Sequence, residues 1–193
     1  MNQNEWLKKL SSDTEIKETF SIFERIKSKI IVNEDTFFEY LIIRIFAGMS
    51  NFKKFEFSMK LDENFEPISV VGNKADVIVT YDQIELVIEP TLRPVSGKAD
   101  HFSHIIDPKK QMGLLIAKNV KKIDAQIWNT YKAYSKKHSK LFMICDVPFL
   151  LKLLEEQKDS NKKFLEFIET SKKVWESEES WKNIREQIIS LIT

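Results

Sequence analysis

Two short apolar runs, each containing one acidic residue, form the most informative pattern along this chain. Residues 75–80 and 84–90 have the hydrophobic character of β-strands, and the polar stretch 81–83 between them predicts a hairpin turn. Asp76 begins the first run and Glu89 ends the second, so a hairpin brings both to the same end of a sheet. An ionised carboxylate in an apolar strand is costly unless it is paired or bound to a cation. These acids therefore predict a hard-oxygen site suited to Mg²⁺.

Helical spacing of apolar residues dominates the regions on both sides of this hairpin. Residues 4–31 predict one or two amphipathic helices, and residues 34–49 predict a helix that is apolar around most of its circumference. From residue 149 to residue 193 the pattern is again helical. The remaining runs predict a strand over 55–61, a connection over 67–72, a short helix over 98–107, a buried strand over 112–117, a lysine-flanked helix over 123–134 and a buried strand over 141–145. Together they predict an α/β or α+β domain with a mixed central sheet flanked by helices and with extra helices at both termini.

Length and composition indicate one domain. With 193 residues, of which 42% are hydrophobic, the chain can bury a core. We expect a single domain over 1–193, with a core over 34–146 and a helical part over 147–193. No apolar run reaches the roughly 18 residues of a membrane span, and the N-terminus has no signal-peptide pattern. The single cysteine, Cys145, excludes an internal disulfide and is typical of a reducing compartment, so we expect a cytoplasmic protein without membrane contact.

The last helical stripe leaves two interpretations open. It contains Trp175, Trp181 and several isoleucines up to Ile192 at helical spacing. Burial in the core is the commoner outcome for such a stripe, but tryptophan is also favoured at the centre of protein interfaces. The sequence therefore predicts either a core face or a partner surface.

Glu39 lies in the middle of the apolar helix, where a carboxylate needs a partner. Arg44 is one candidate partner, and the predicted metal site is the other. The residues by themselves favour an ion pair or an exposed position for Glu39 over a metal-binding role.

Positive charge is concentrated in one segment. Residues 107–140 contain nine lysines and two aspartates, in a chain whose net charge is only +1. Lysines beside an acidic site are what a metal-dependent nuclease needs, because they hold phosphates near the carboxylates that hold metal. An ordinary solvated lysine-rich helix face is the other interpretation. The predicted DNA-binding residues are Lys118, Lys121, Lys122, Lys132, Lys136 and Lys137.

Cleavage of a phosphodiester needs a water molecule in line with the bond, stabilisation of the extra negative charge and assistance to the leaving oxygen. One or two Mg²⁺ ions held by carboxylates supply most of this. We predict Asp76, Glu89 and the backbone carbonyl of Pro90 as metal ligands. If the helix over 34–49 crosses this end of the sheet, Glu39 completes the site or holds a second ion. Thr91 lies on the same strand face as Glu89, because side chains alternate along a strand, so it can contact the same water or phosphate.

Four segments of the chain resemble the AlwI-like type II restriction endonucleases, a branch of the PD-(D/E)XK nucleases. They are FFEYLIIRIFAGM around Glu39, FEPISVVGNKADVIV around Asp76, LVIEPTL around Glu89, and GLLIAKNV further on. The resemblance implies the αβββαβ core of those nucleases and a metal-binding role for the three acids. It also implies that Glu89-Pro90-Thr91 replaces the usual E-x-K motif, so that Thr91 stands where a lysine is usual.

The family also has a glutamate and then an Arg-His pair after this motif. The corresponding region here is shorter and reads GKADHFSHIIDP. The resemblance thus implies that His101 or His104 stands for the histidine and Asp100 for the glutamate. We prefer His104, because Asp100 lies four residues before it on the same face of the predicted helix. A histidine on an ordinary helix surface is the alternative.

Members of the family that recognise DNA alone contain a further large recognition region, for which we expect no room in this chain. The resemblance therefore implies the small catalytic subunit of a heterodimeric type IIS restriction enzyme. Such a protein is a Mg²⁺-dependent endonuclease that cuts one strand of double-stranded DNA while a larger partner subunit reads the sequence. The alternatives are a stand-alone homodimeric PD-(D/E)XK nuclease, and a nuclease-like domain that has lost catalysis and serves as a DNA-binding or assembly module.

Overall fold

A computed structural model describes residues 3–49, 52–70, 76–81, 84–92, 112–156, 159–177 and 179–193. Within these residues a five-stranded sheet has the order β1-β4-β5-β6-β7. Its strands are β1 (Lys54–Phe57), β4 (Val77–Tyr81), β5 (Ile84–Thr91), β6 (Met112–Ala117) and β7 (Leu141–Asp146). β1, β4 and β5 pair antiparallel, whereas β5, β6 and β7 pair parallel. The predicted mixed sheet is confirmed.

Helices flank this sheet. The described helices are α1 (Gln3–Leu10), α2 (Asp13–Lys27), α3 (Glu34–Met49), α4 (Ala125–His138), α5 (Val147–Glu155), α6 (Ser160–Glu176) and α7 (Trp181–Ile192). The first two match the prediction for 4–31, and α3 has the predicted bounds. In the described part of the chain, no helix has both the length and the apolar character that crossing a bilayer requires.

The β4–β5 hairpin determines where the two strand acids lie. Val77 is opposite Ile88 and Tyr81 is opposite Ile84, so Asp76 and Glu89 come next to each other at the open end of the hairpin. The following strand, β6, pairs with β5 on its other edge, and β5 is buried from Leu86 onward. A strand with neighbours on both edges and helices nearby is apolar along most of its length. The acid at its end is therefore enclosed by protein.

The region before the hairpin differs from the prediction. The strand expected over 55–61 is divided into β1 and a separate strand, β2 (Met59–Leu61), and the connection expected over 67–72 contains β3 (Pro67–Val70). β2 and β3 form a small two-stranded sheet. The Asp62 carboxylate closes their turn by accepting hydrogen bonds from two backbone N–H groups, at 2.8 and 2.9 Å. Strands of three and four residues are too short to produce a recognisable period in the sequence.

The buried side chains form one contiguous hydrophobic core to which the large sheet and all seven of these helices contribute. The ring of Phe164 in α6 lies 5.4 Å from that of Phe46 in α3 and 5.8 Å from that of Tyr81 in β4. The last helical stripe belongs to this core, since Trp175 is 2% exposed and stacks on Trp128. Of the two interpretations of that stripe, burial in the core is correct for Trp175.

Arg44 lies buried between α2 and α3. Its guanidinium group donates hydrogen bonds to the Glu15 carboxylate at 2.8 Å, to the Thr19 hydroxyl at 3.1 Å and to the Tyr40 hydroxyl at 3.1 Å. The ion pair that the sequence suggested between Glu39 and Arg44 is therefore wrong. Five residues of α-helix separate two side chains by about 140° around the helix axis, so Glu39 and Arg44 point to different neighbours.

Candidate active site

Asp76 and Glu89 lie side by side at the end of the β4–β5 hairpin. Both are buried, with 9% and 4% of their surface exposed, and their carboxyl groups are hydrogen-bonded to each other. Burial raises the pKa of Asp76, and the charges of Glu89 and Glu39 and this hydrogen bond raise it further. A buried carboxyl pair of this kind holds a proton between its members at neutral pH, because two adjacent negative charges repel each other.

α3 brings Glu39 to the same place. The helix packs against β5, and Glu39 is half-buried there. Burial, together with the negative charges of Glu89 and Asp35, raises the pKa of Glu39 from 4.5 to about 7. Because the charge of Glu39 also affects Asp76, three acids from α3, β4 and β5 form one electrostatic cluster.

A cavity of about 300 Å³ lies between α3 and the end of β5. Its lining consists of Asp35, Phe38, Glu39, Glu89, Pro90, Thr91 and Leu92. Since a water molecule occupies about 30 Å³, the cavity has room for a hydrated cation and a phosphate group. Sequence reasoning missed Asp35 and Phe38. The position of Asp35, one helical turn before Glu39, was the available signal.

Thr91 is 4% exposed and lines the cavity. In the sheet it pairs with Ala117 of β6, so the residue after Ala117, Lys118, emerges at the same end of the sheet. Lys118 donates hydrogen bonds to the Glu34 carboxylate at 3.0 Å and to the Ile26 carbonyl at 3.3 Å. In an E-x-K motif the lysine would stand at position 91 of β5. In this protein Lys118, which follows the neighbouring strand β6, lies at the first turn of α3 instead.

The negative charge of Glu89 also affects Tyr131 of α4, a residue to which the sequence assigned no role in the site. It is 1% exposed, and burial together with the negative charge of Glu89 raises the pKa of its hydroxyl group. The helix α4, which follows β6 along the chain, therefore brings Tyr131 close enough to Glu89 for the charge of Glu89 to affect it. The helical pattern over 123–134 gives no sign that Tyr131 lies near an acid.

Asp146 is a further buried acid at this edge of the sheet. It pairs with Ala117 across β6 and β7, in the same row as Thr91. Its carboxylate accepts hydrogen bonds from the backbone N–H groups of Val120 at 3.1 Å and Phe149 at 3.2 Å. The bond from Phe149 caps the N-terminus of α5, and the bond from Val120 holds the turn after β6 against the end of β7, so Asp146 serves the fold.

The predicted DNA-binding lysines divide into two groups. Three of them follow β6 and three lie on α4: Lys118, Lys121, Lys122 and then Lys132, Lys136, Lys137. Lys118 and Lys132 are half-buried, whereas the other four are exposed. Contact of these lysines with DNA stays a prediction.

The predicted histidine site lies outside the described residues. Asp100, His101 and His104 all belong to the stretch 93–111, as does the short helix expected over 98–107. The choice between the two histidines therefore stays a prediction.

As the side chains stand, no group of three or more His, Cys, Asp and Glu residues in the described ranges is arranged so that it could hold a metal ion. The acids form a hydrogen-bonded pair, with Glu39 lining the same cavity as Glu89. The chemistry of the donors nevertheless fits Mg²⁺, since carboxylate and carbonyl oxygens are its preferred ligands. A divalent cation would also offset the cost of ionising buried acids. The metal-binding role of Glu39, Asp76, Glu89 and Pro90 stays a prediction.

A model of the AlwI restriction endonuclease family matches residues 3–101, just over half of the 193-residue chain. The chain belongs to the AlwI restriction endonuclease family. It is thus an enzyme of the nuclease class. The match includes the three clustered acids and Thr91, so it contains the whole lining of the cavity. His101 is the last matched residue, and His104 lies beyond it.

Among solved structures, this AlwI-family chain is similar to the small subunit (R.BspD6I2) of the heterodimeric restriction endonuclease R.BspD6I. The two share 18% sequence identity with a TM-score of 0.66, over 91% of this chain and 97% of that chain. At this identity the similarity establishes the fold. No curated protein matches the chain.

Proposed function

We propose that this AlwI-family protein is a Mg²⁺-dependent endonuclease that cleaves one strand of double-stranded DNA. It acts as the small catalytic subunit of a type IIS restriction enzyme, and a larger partner subunit supplies sequence recognition. The observation on which this depends is the meeting of Glu39, Asp76 and Glu89 beside one cavity at the end of the sheet. We assign the site to the PD-(D/E)XK type, with E-x-T in place of E-x-K.

In this proposal Asp76, Glu89 and the Pro90 carbonyl would hold Mg²⁺, and Glu39 would be a further ligand. When bound, Mg²⁺ stabilises the charge that develops on the scissile phosphate and lowers the pKa of a coordinated water. Asp76 has to release its proton before it binds a cation, so metal binding and deprotonation are coupled. Without metal the pKa of Glu39 is about 7, so Glu39 would also release a proton when it binds the cation.

The remaining cavity residues position the substrate. The Thr91 hydroxyl group can hydrogen-bond the attacking water or a phosphate oxygen, but it contributes no positive charge. Lys118 supplies that charge from the neighbouring strand end in our proposal, although it forms an ion pair with Glu34 in the protein alone. The lysines at 121, 122, 132, 136 and 137 would extend the phosphate contacts along the duplex.

A larger partner is supported by the solved neighbour. That protein is by its title the small subunit of a heterodimeric restriction endonuclease, and the structural match extends over 97% of its length. The same arrangement in this protein predicts weak and unspecific DNA cleavage by the chain alone.

Nicking of supercoiled plasmid by the purified chain tests the proposal. We expect open-circular product with Mg²⁺ and none with EDTA. Glu89→Gln should abolish nicking, because the amide keeps the volume of the side chain but binds Mg²⁺ poorly. Glu169→Gln is the matched control, since Glu169 is exposed on α6, and it should nick like the wild type.

Each alternative predicts a different result. Nicking that persists in Glu89→Gln would show that the cleaving site lies elsewhere. Linear product with defined ends, formed by this chain alone, would favour the stand-alone homodimer. Calorimetry that detects no binding of Mg²⁺ or Mn²⁺ would favour the inactive DNA-binding or assembly module.

A further inference from the structure

The loop between α2 and α3, residues 28–33, presents two apolar side chains to solvent. Ile30 is 70% exposed and Val32 is 80% exposed, whereas Ile31 between them packs against the core. Among the described residues, the other exposed large apolar side chains are the isolated Ile68 and Leu191. Two exposed β-branched residues on one short loop are a feature that the proposed cleavage site does not use.

Hydrogen bonds fix the backbone of this loop. Lys29 has a φ of 55°, its N–H donates to the Ile26 carbonyl at 3.2 Å, and the Ile30 N–H donates to the Arg25 carbonyl at 3.1 Å. This is the Schellman motif, in which an apolar residue at the position of Ile30 commonly packs back onto the helix. Ile30 instead points into solvent. Asn33, with a φ of 61°, then leads the chain into α3.

The loop lies beside the candidate active site. The first turn of α3 follows it directly, and Asp35 in that turn lines the cavity. Lys118, which follows β6, links the sheet to the helices on both sides of the loop. Its ammonium group donates hydrogen bonds to the Ile26 carbonyl of α2 and to the Glu34 carboxylate of α3. Along the axis of α3, the start of the helix at Glu34 lies only about 7.5 Å from Glu39, since a helix rises 1.5 Å per residue.

We propose that Ile30 and Val32 form an apolar wedge that enters a groove of the DNA duplex beside the cleaved phosphate. Proteins that kink DNA insert apolar side chains such as isoleucine between base steps and partly unstack them. A duplex that places a phosphate in the cavity lies close to the loop, because Asp35 of the cavity lining follows Asn33, the last residue of the loop, by only two positions. The wedge rests on the proposed function, since DNA must first occupy the cavity.

The size and surroundings of the loop favour DNA over a protein partner. A stable protein interface buries roughly 800 Å² on each side, whereas a wedge needs only one or two side chains. Lys29 in the loop is exposed, whereas Lys27, the last residue of α2, is paired with Glu24 at 2.8 Å. Lys29 can contact a phosphate that borders a groove while the apolar side chains enter it.

Binding of the full chain to short duplexes tests the wedge. The probes contain 2-aminopurine at successive positions, and Ca²⁺ replaces Mg²⁺ to limit cleavage. Because the chain alone binds without sequence preference, the wild type should raise 2-aminopurine fluorescence at all interior positions of the duplex, since unstacking relieves quenching. The double variant Ile30→Ala/Val32→Ala should lose this signal and bind about tenfold more weakly. Its salt dependence should stay unchanged, because no phosphate contact is removed.

Ile68→Ala is the matched control. Ile68 is 61% exposed on β3, so the substitution removes a similar apolar side chain outside the loop of residues 28–33, and binding and fluorescence should equal those of the wild type. Thermal unfolding of all variants should agree, because each substituted side chain is exposed. An affinity and a fluorescence signal in Ile30→Ala/Val32→Ala equal to those of the wild type would overturn the wedge.

Two further outcomes separate the wedge from its alternatives. Self-association of the wild type that the double variant abolishes, with DNA binding unchanged, would show that a second copy of the chain covers the loop and would reject the wedge. Failure of the wild type to nick plasmid or bind DNA would overturn the proposed function and the wedge together. Nicking by the wild type with normal DNA binding by the double variant would overturn the wedge alone.

Discussion

The pKa values of single residues in the site depend on burial and on the charges of neighbouring residues. A lone glutamate in water ionises near pH 4.5, but burial and the charges of Glu89 and Asp35 raise the pKa of Glu39 to about 7. Asp76 is affected in the same direction, by burial first and by Glu89 and Glu39 after it. The folded chain therefore retains protons that the unfolded chain releases.

This difference predicts a pH dependence of stability. Because folding raises the pKa of Glu39 to about 7 and that of Asp76 to about 9, the free energy of unfolding without metal should fall as the pH rises from about 4 through 9. Mg²⁺ should offset part of this loss, since it replaces the protons in the site. Thermal unfolding in EDTA and in Mg²⁺ at several pH values measures both effects.

Asp76→Asn isolates the contribution of the site. It removes one of the raised pKa values, so the fall in melting temperature between pH 5 and pH 8 should become smaller, and the stabilisation by Mg²⁺ should be lost. Glu169→Gln, an exposed substitution, should leave both effects as in the wild type. A melting temperature that rises with pH over this range in the wild type, without metal, would contradict the assignment.

Arg44 shows what residue-level patterns leave undetermined. The sequence offered Glu39 as its partner because the two are close along one helix, yet Arg44 pairs with Glu15 of α2 at 2.8 Å. Because α3 is apolar around most of its circumference, its sequence does not show which side of it packs against another helix. The partner of a buried charge could be identified only after α2 and α3 were packed together.

At the scale of elements, long and regular patterns were predictive. α3 and β6 have the predicted bounds, because a helix of 16 residues and an apolar run of six residues each produce a clear local signal. The β2–β3 sheet was missed because its strands contain three and four residues. The proximity of Asp76 and Glu89 was predictable because it depends on one hairpin between strands that are neighbours along the chain.

The lysines of α4 provide a prediction at this scale. Lys136 and Lys137 are exposed in the last turn of the helix. If both contact phosphates, their replacement by alanine should reduce the slope of log K against log salt by about 0.9 for each lysine. Titration of a fluorescent duplex at several salt concentrations measures the slope.

Lys172→Ala/Lys173→Ala serves as the matched control for α4. These two lysines are adjacent and exposed on α6, and their removal changes the net charge by the same amount. The control variant should keep the slope of the wild type. Equal slopes in all three proteins would leave the α4 lysines as an ordinary solvated helix face.

For the whole molecule, the single core predicts cooperative unfolding. Phe164 of α6 is completely buried and contacts rings from α3 and β4, so the helical part over 147–193 and the sheet share one interior. Phe164→Ala should lower the free energy of unfolding by about 3 to 5 kcal/mol and leave one unfolding transition. Urea unfolding followed by circular dichroism and by tryptophan fluorescence measures this.

Ile68→Ala is the corresponding exposed control and should change the free energy of unfolding by less than about 0.5 kcal/mol. Two separate transitions in the wild type, one for the C-terminal helices and one for the sheet, would contradict the prediction of a single domain over 1–193.

The sequence by itself determined the helices and strands with strong periods, the mixed α/β character and the meeting of Asp76 with Glu89. Each of these depends on residues that are close along the chain, where alternation and helical spacing act directly. Tertiary structure alone decided that Glu39 joins that pair, that Arg44 turns to Glu15, that Lys118 reaches the start of α3 and that Ile30 and Val32 stay exposed. These features arise where distant segments pack together, and local periodicity does not specify how they pack.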